Sequence, residues 1–310
     1  MTKIFFLGEC MVELRELDDA TMGQSFAGDV YNSAVYMKRC YPKLAVAMIT
    51  AIGRDRLSEK MLSRFNSEDL DTQFVFQHPS KVSGMYFIET DSAGERRFTY
   101  WRNDSAAKKV VQFLNDDVVE QLTSADMLFF SGIPLAIIEQ DSRVAFWQKL
   151  EHLKLAGVKL VFDPNYRAQL WANKADAIEQ FNKAFQISDI ALPGIEDLNV
   201  LYGISSAAEA IDFFQQYQLE ELVIKDGPKS VVTLTGTDLQ SHKIIPVTNV
   251  VDTTSAGDAF NGVYLGARLS GRTVSEAVQL GAKAAGTVIQ HPGAIAPLAA
   301  FKQAMSEAGL

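Results

Sequence analysis

Residues 250–262 read Val-Val-Asp-Thr-Thr-Ser-Ala-Gly-Asp-Ala-Phe-Asn-Gly, and they set small side chains around one carboxylate where an apolar stretch gives way to a helical pattern. The first N–H groups of a helix lack internal partners, and the helix dipole adds partial positive charge, so such a turn can seat an anion. Ala256 and Gly257 leave that seat open. Asp258 falls in the first turn, where its carboxylate can take a proton from an attacking hydroxyl. Anion donors beside a base are equipment for phosphoryl transfer. The same residues also suit a plain structural role, with Thr253, Thr254 and Ser255 capping the helix and Asp258 complementing its dipole.

The elements that must position this turn follow from hydrophobic rhythm. Short apolar runs at Ile4–Leu7, Ala45–Ile52, Met127–Phe130, Val158–Phe162, Ile190–Leu192 and Leu222–Ile224 alternate with amphipathic segments such as 142–156 and 174–186. This predicts a three-layer α/β/α sandwich around a mostly parallel sheet, in one domain spanning 1–310. Ligands in such sheets bind beyond the carboxyl ends of the strands. One region breaks the rhythm: Gly84–Thr90 and Glu95–Trp101 flank Asp91-Ser92-Ala93-Gly94, the pattern of an antiparallel hairpin. With Met11–Leu17 and Thr21–Phe26 it predicts a small β-sheet lid from segments of about 11–27 and 83–103. Its exposed face is expected to carry Tyr86, Phe98, Tyr100 and Trp101 and to invite a second copy of the chain.

Composition narrows the partners. The 310 residues carry a formal net charge of -9, which argues against a general nucleic-acid or anionic-membrane surface and favours small-molecule partners. Cys10 and Cys40 have no metal or disulfide spacing, and His78, His152, His242 and His291 are scattered, so no protein metal ligand is expected. The apolar start Ile4–Leu7 is too short for a signal peptide, and no later run has membrane-spanning length; a cytoplasmic location is expected.

Three further clusters sit where a parallel sheet presents ligands. In Phe26-Ala27-Gly28-Asp29-Val30-Tyr31-Asn32, Gly28 admits close backbone approach, while Asp29 and Asn32 offer partners for sugar hydroxyls; a turn with a helix cap explains the same pattern. Asp163-Pro164-Asn165-Tyr166-Arg167 follows a strand, and a guanidinium there can grip carboxylate or phosphate through two parallel hydrogen bonds. Lys225-Asp226-Gly227-Pro228-Lys229-Ser230 joins two strands by a tight loop, as a simple hairpin also would. Tyr100-Trp101-Arg102-Asn103 adds a cation and an aromatic hydroxyl, with Tyr86 opposite. If Arg102 and Arg167 both face the pocket, a substrate bearing a carboxylate is the economical reading, because an unpaired buried cation is costly. The contrary expectation pairs Arg102 with a lid carboxylate such as Glu95.

The run Asp252–Asp258 resembles the D-T-x-G-A-G-D signature of the ribokinase-like, phosphofructokinase B-type carbohydrate kinases, with Ser255 in place of the usual Gly. The segments at Gly28, Asp163 and Lys225 resemble that family's G-G-[ND]-x-x-N, D-x-N-x-R and K-x-G-x-x-G elements; Ala27 and Ser230 replace a Gly each. Gly194 and Asp197 replace both anchors of its N-x-x-E element. The resemblance implies Asp258 as catalytic base, with Ala256 and Gly257 at the transferring phosphoryl group. It implies Gly28, Asp29, Asn32, Tyr86, Tyr100, Arg102 and Arg167 on the sugar, and Asn165, Arg167, Lys225, Gly227, Ser230, Ser255, Ala256 and Gly257 on ATP. Magnesium would arrive with ATP, and the family leaves room for a monovalent cation.

Gly8-Glu9-Cys10-Met11, Tyr86, Ile88–Ser92, Gly94–Arg96, Tyr100–Asn103 and Asn165–Arg167 further resemble the branch acting on a sugar acid, 2-keto-3-deoxygluconate. Kinases of neutral sugars such as fructose or ribose remain the alternative within the class. A non-catalytic sugar-acid sensor is the alternative outside it. A nicotinamide dehydrogenase is disfavoured, since Leu7-Gly8-Glu9-Cys10 lacks the glycine-rich fingerprint.

Overall fold

The computed structural model describes residues 1–18, 20–90 and 96–310, so the expected turn at 91–94 and the expected Glu95 partner lie outside the described residues. The strands are β1 (Lys3–Leu7), β2 (Met11–Asp18), β3 (Thr21–Ala27), β4 (Ala45–Ile52), β5 (Asp71–Gln77), β6 (Met85–Thr90), β7 (Arg96–Trp101), β8 (Met127–Ser131), β9 (Lys159–Asp163), β10 (Ile190–Ala191), β11 (Glu221–Asp226), β12 (Ser230–Thr235) and β13 (Asp238–Lys243). They divide into a nine-stranded sheet, β13-β12-β11-β10-β9-β8-β1-β4-β5, and a four-stranded sheet, β3-β2-β6-β7.

In the large sheet the pairs β11–β12 and β12–β13 are antiparallel; the other pairs are parallel. Its central strands carry apolar runs because both faces are covered. Ile4 and Phe6 of β1 join one core, while Phe5 and Leu7 join the other, the period-2 alternation of a strand. Helices Asp29–Cys40, Ala256–Leu269 and Val274–Val288 cover the first face; Arg143–Leu155, Lys174–Ile187 and Ile195–Tyr202 cover the second. Edge strand β5, absent from the expected runs, has four polar residues among its seven around the short run Phe74-Val75-Phe76.

Helices Asp29–Cys40 and Ala256–Leu269 touch through their backbones. A β-carbon on Gly262 would stand 2.1 Å from the Ser33 carbonyl oxygen, so only glycine permits this approach. The contact sets the helix that follows the Gly28 turn directly against the helix that begins at Ala256.

In the small sheet β2 runs parallel to β6 and antiparallel to β3, and β6 runs antiparallel to β7. Met11, Ala27, Tyr86 and Ile88 pack with Ala294 of the main body. Alternation corrects the expected aromatic face. Tyr86 pairs with Tyr100 and stacks near it and Phe98, but Tyr86 is only 6% exposed. Trp101, opposite Met85, is one residue out of phase with Tyr100 and projects from the other face, 54% exposed.

Candidate active site

The helix Ala256–Leu269 opens at Ser255, whose φ of 66° lies in the left-handed region that glycine adopts freely and other residues reach at a cost of about 1 kcal/mol. No side chain caps this end. Asp252 braces the loop from below, accepting hydrogen bonds from Thr254 N at 2.9 Å and Gly293 N at 2.6 Å. A β-carbon on Gly257 would meet nothing within 4 Å, so the first turn faces open space, as an anion seat requires.

Asp258 stands beside that space. Burial, then the neighbouring Asp29 carboxylate, pushes its pKa up to about 7, while the Asn32 amide and the nearby Ser255 hydroxyl hold it down. Asn32 Nδ2 donates to Asp258 Oδ2 at 2.9 Å, and Asn32 Oδ1 accepts from Gly28 N at 3.3 Å. Thus Asn32, expected on a sugar hydroxyl, also holds the carboxylate of the expected base. Gly28 fits because a β-carbon there would lie 2.2 Å from the Glu9 carbonyl oxygen. Asp29 accepts hydrogen bonds from Ser131 Oγ and, at 2.7 Å, from Asn165 Nδ2. Burial raises its pKa; these two donors oppose the rise. Asn165, expected at the nucleotide, therefore binds the turn expected at the sugar.

One helical turn after Asp258, Asn261 Nδ2 donates to Asp163 Oδ2 at 2.6 Å. Lys225 Nζ donates to the same oxygen at 3.2 Å and to Asn261 Oδ1 at 3.0 Å. Lys225, expected at ATP, thus also balances a buried carboxylate. Gly227, at φ 52°, makes the tight turn between β11 and β12, and Ser230 opens β12. Asp197 lies near Asp163, and burial followed by that charge pushes its pKa up to about 6 against the pull of Arg167 and Lys225. Arg167 is exposed and donates to its neighbour's carbonyl, Tyr166 O, at 2.8 Å.

At the small sheet the expectation of an unpaired Arg102 is corrected. Arg102 is 6% exposed and paired with Glu9 through Nη2, and Ser105 Oγ donates to the other Glu9 oxygen at 2.6 Å. A buried guanidinium needs a counter-charge, and the first loop after β1 supplies it. Tyr86 donates its hydroxyl to Glu13, which also accepts from Ser25 Oγ at 2.7 Å. Tyr100 is exposed, its ring 6.0 Å from the Arg102 guanidinium carbon. Glu9, Glu13, Ser131 and Asn261 were not singled out from sequence as site residues. For Glu9 the available signal was a carboxylate just past the apolar run Ile4–Leu7 of a parallel sheet. Among the described residues, no group of three or more His, Cys, Asp and Glu is placed to hold a metal ion.

A parallel sheet with helices on both faces, a small second sheet, and an open helix start bearing a carboxylate define a class of sugar kinases. The chain belongs to that class: residues 1–300 match the pfkB family carbohydrate kinase. It is 37% identical over 302 residues to 2-dehydro-3-deoxygluconokinase of Escherichia coli strain K12, covering 95% of this chain and 97% of that protein. The Haemophilus influenzae protein of the same name is 35% identical, covering 99% of each chain. The crystal structure of a putative ribokinase II from E. coli in complex with ATP and Mg2+ superposes with a TM-score of 0.84 at 20% identity, covering 99% of this chain and 100% of the other. The fold is therefore ribokinase-like.

Proposed function

We propose that the protein transfers the γ-phosphoryl group of ATP to the terminal hydroxyl of 2-keto-3-deoxygluconate, giving 2-keto-3-deoxy-6-phosphogluconate. The observation that carries this reading is Asp258, held by Asn32 at the mouth of an open helix start with its pKa pushed up to about 7. A base in that range is about half ionised at neutral pH and basic enough to accept a hydroxyl proton as the oxygen attacks. The first-turn backbone at Ala256 and Gly257 meets the charge on the transferring group. Magnesium, carried by ATP, supplies further charge neutralisation when bound. Gly28, Asp29 and Asn32 hold the alcohol end of the sugar, and Tyr86, Tyr100 and Arg102 hold its far end. Arg167, Asn165, Lys225, Gly227, Ser230 and Ser255 line the approach of ATP.

Two features support a sugar acid over a neutral sugar. The relatives of 35–37% identity carry the name of a kinase for this acid. Within the site, Arg102 keeps a buried Nε without a hydrogen-bond partner, a donor suited to a carboxylate oxygen. We also propose a cytoplasmic enzyme that pairs through its small sheet, where Met22 and Trp101 are exposed on the face away from Tyr86.

The test is ADP release with ATP and magnesium across 2-keto-3-deoxygluconate, gluconate, fructose, ribose and no sugar. Strong turnover with the keto-deoxy acid alone is expected. Comparable turnover with fructose or ribose would retain the kinase and remove the acid.

A further inference from the structure

Four passages of chain join the small sheet to the main body: residues 8–10 between β1 and β2, Gly28 after β3, residues 78–84 before β6, and residues 102–105 after β7. All four meet at Glu9, which is 1% exposed. Its carbonyl oxygen lies where a β-carbon on Gly28 would clash, at 2.2 Å, and its Oε1 lies 2.7 Å from a β-carbon built on Gly84. Its carboxylate takes Ser105 Oγ on one oxygen and Arg102 Nη2 on the other.

The consequence lies in how Arg102 is held. A guanidinium presents five donors in a rigid fork, so a bond on one nitrogen restricts the directions open to the rest. With Nη2 on Glu9, the buried Nε remains without a partner among the described residues, and the Tyr100 ring flanks the group. A buried unpaired donor costs stability unless something completes it. We propose that Glu9 is a positioning residue for substrate recognition: clamped by Ser105, it holds the Arg102 guanidinium in place for the carboxylate of a sugar acid. Through Gly28, it keys that placement to the turn holding the other end of the substrate. This rests on the proposed sugar-acid activity.

The experiment compares KM for 2-keto-3-deoxygluconate with KM for 3-deoxyfructose, in which a hydroxymethyl group replaces the carboxylate. Wild type is expected to prefer the acid. Glu9→Ala is expected to raise KM for the acid by about tenfold or more, the scale of one charged hydrogen bond, with kcat and the KM values for 3-deoxyfructose and ATP changed by less than about threefold. Glu9→Gln, which still offers Arg102 an acceptor, should recover most of the preference. In an Arg102→Leu background, Glu9→Ala should change the ratio no further. Ser105→Ala, a mild deletion, should lower the preference in the same direction and decides the matter if Glu9→Ala does not fold. A wild type that prefers the acid, with the ratio unmoved in Ser105→Ala and in folded Glu9→Ala, would overturn the role of Glu9 while leaving the activity standing. A wild type indifferent to the carboxylate would remove both.

Discussion

Asn32 and Asp258 stand 226 positions apart in the chain, yet Asn32 Nδ2 donates to Asp258 Oδ2 at 2.9 Å. The donor stabilises the ionised carboxylate against burial and the neighbouring Asp29, which drive the pKa toward about 7. For the proposed base, kcat/KM should fall tenfold per unit as pH drops below about 7. Asn32→Leu should move this acid limb up by roughly one unit, the equivalent of one hydrogen bond to a charged group. A pH profile of kcat/KM with an unshifted limb would detach Asn32 from the ionisation of Asp258.

Asp258→Asn should lose turnover by roughly 10²- to 10⁴-fold, the contribution of a general base. The same change should stabilise the protein at neutral pH. The folded state binds the Asp258 proton more tightly than the unfolded chain, whose pKa is near 3.8, so ionising this group costs stability. That cost is absent below about pH 4, grows as pH rises toward 7 and is full above it. Urea unfolding should therefore show Asp258→Asn more stable than wild type by on the order of 1–3 kcal/mol at pH 8, and nearly equal to it at pH 4.

Ser255→Gly should raise stability by about 0.5–1 kcal/mol. Relief of the left-handed conformation exceeds the extra freedom glycine gives the unfolded chain. Ser255→Val, with a branched β-carbon forced to the same φ of 66°, should lower stability and displace the first turn. Thermal melts of both variants beside wild type test the pair; equal melting temperatures would show that the loop relaxes at no cost.

Lys225→Met leaves the Asp163 carboxylate, which also accepts from Asn261, without its cation. Breaking a buried pair from one side costs about 3 kcal/mol or more, and the double change Lys225→Met with Asp163→Asn should return much of it. Denaturant unfolding of both variants gives the comparison. A residue serving ATP alone would instead raise KM for ATP and leave stability untouched.

The parts of the molecule legible in sequence were those written contiguously. The apolar runs at Ile4–Leu7 and Ala45–Ile52 announce strands because both faces of a central strand must be covered, and Asp252–Asp258 spells its turn in seven adjacent residues. Partnerships were not legible. Asn32, Asn165 and Lys225 are expected on ligands from their types, but the sequence does not show that each also bonds a carboxylate more than 60 positions away: Asp258, Asp29 and Asp163. A lone polar residue announces a capacity for hydrogen bonding, and only the fold selects the partner. The Glu9 and Arg102 pair shows the same limit, with the added reason that no local pattern predicts which crossing between the sheets a carboxylate will serve.

Gly262 lets the helix bearing Asp29 and Asn32 rest backbone to backbone on the helix bearing Asp258, with the Ser33 carbonyl in the place a side chain would fill. Gly262 lies one helical turn beyond Asp258, and Ser33 adjoins Asn32. No rotamer intervenes between the two helices at this point, so the spacing between the alcohol cradle and the proton acceptor is machined to backbone tolerance. Alignment of the reacting groups is then a property of the folded chain before any sugar arrives, and a single methyl group at position 262 would carry its error to the reacting oxygen almost undiminished.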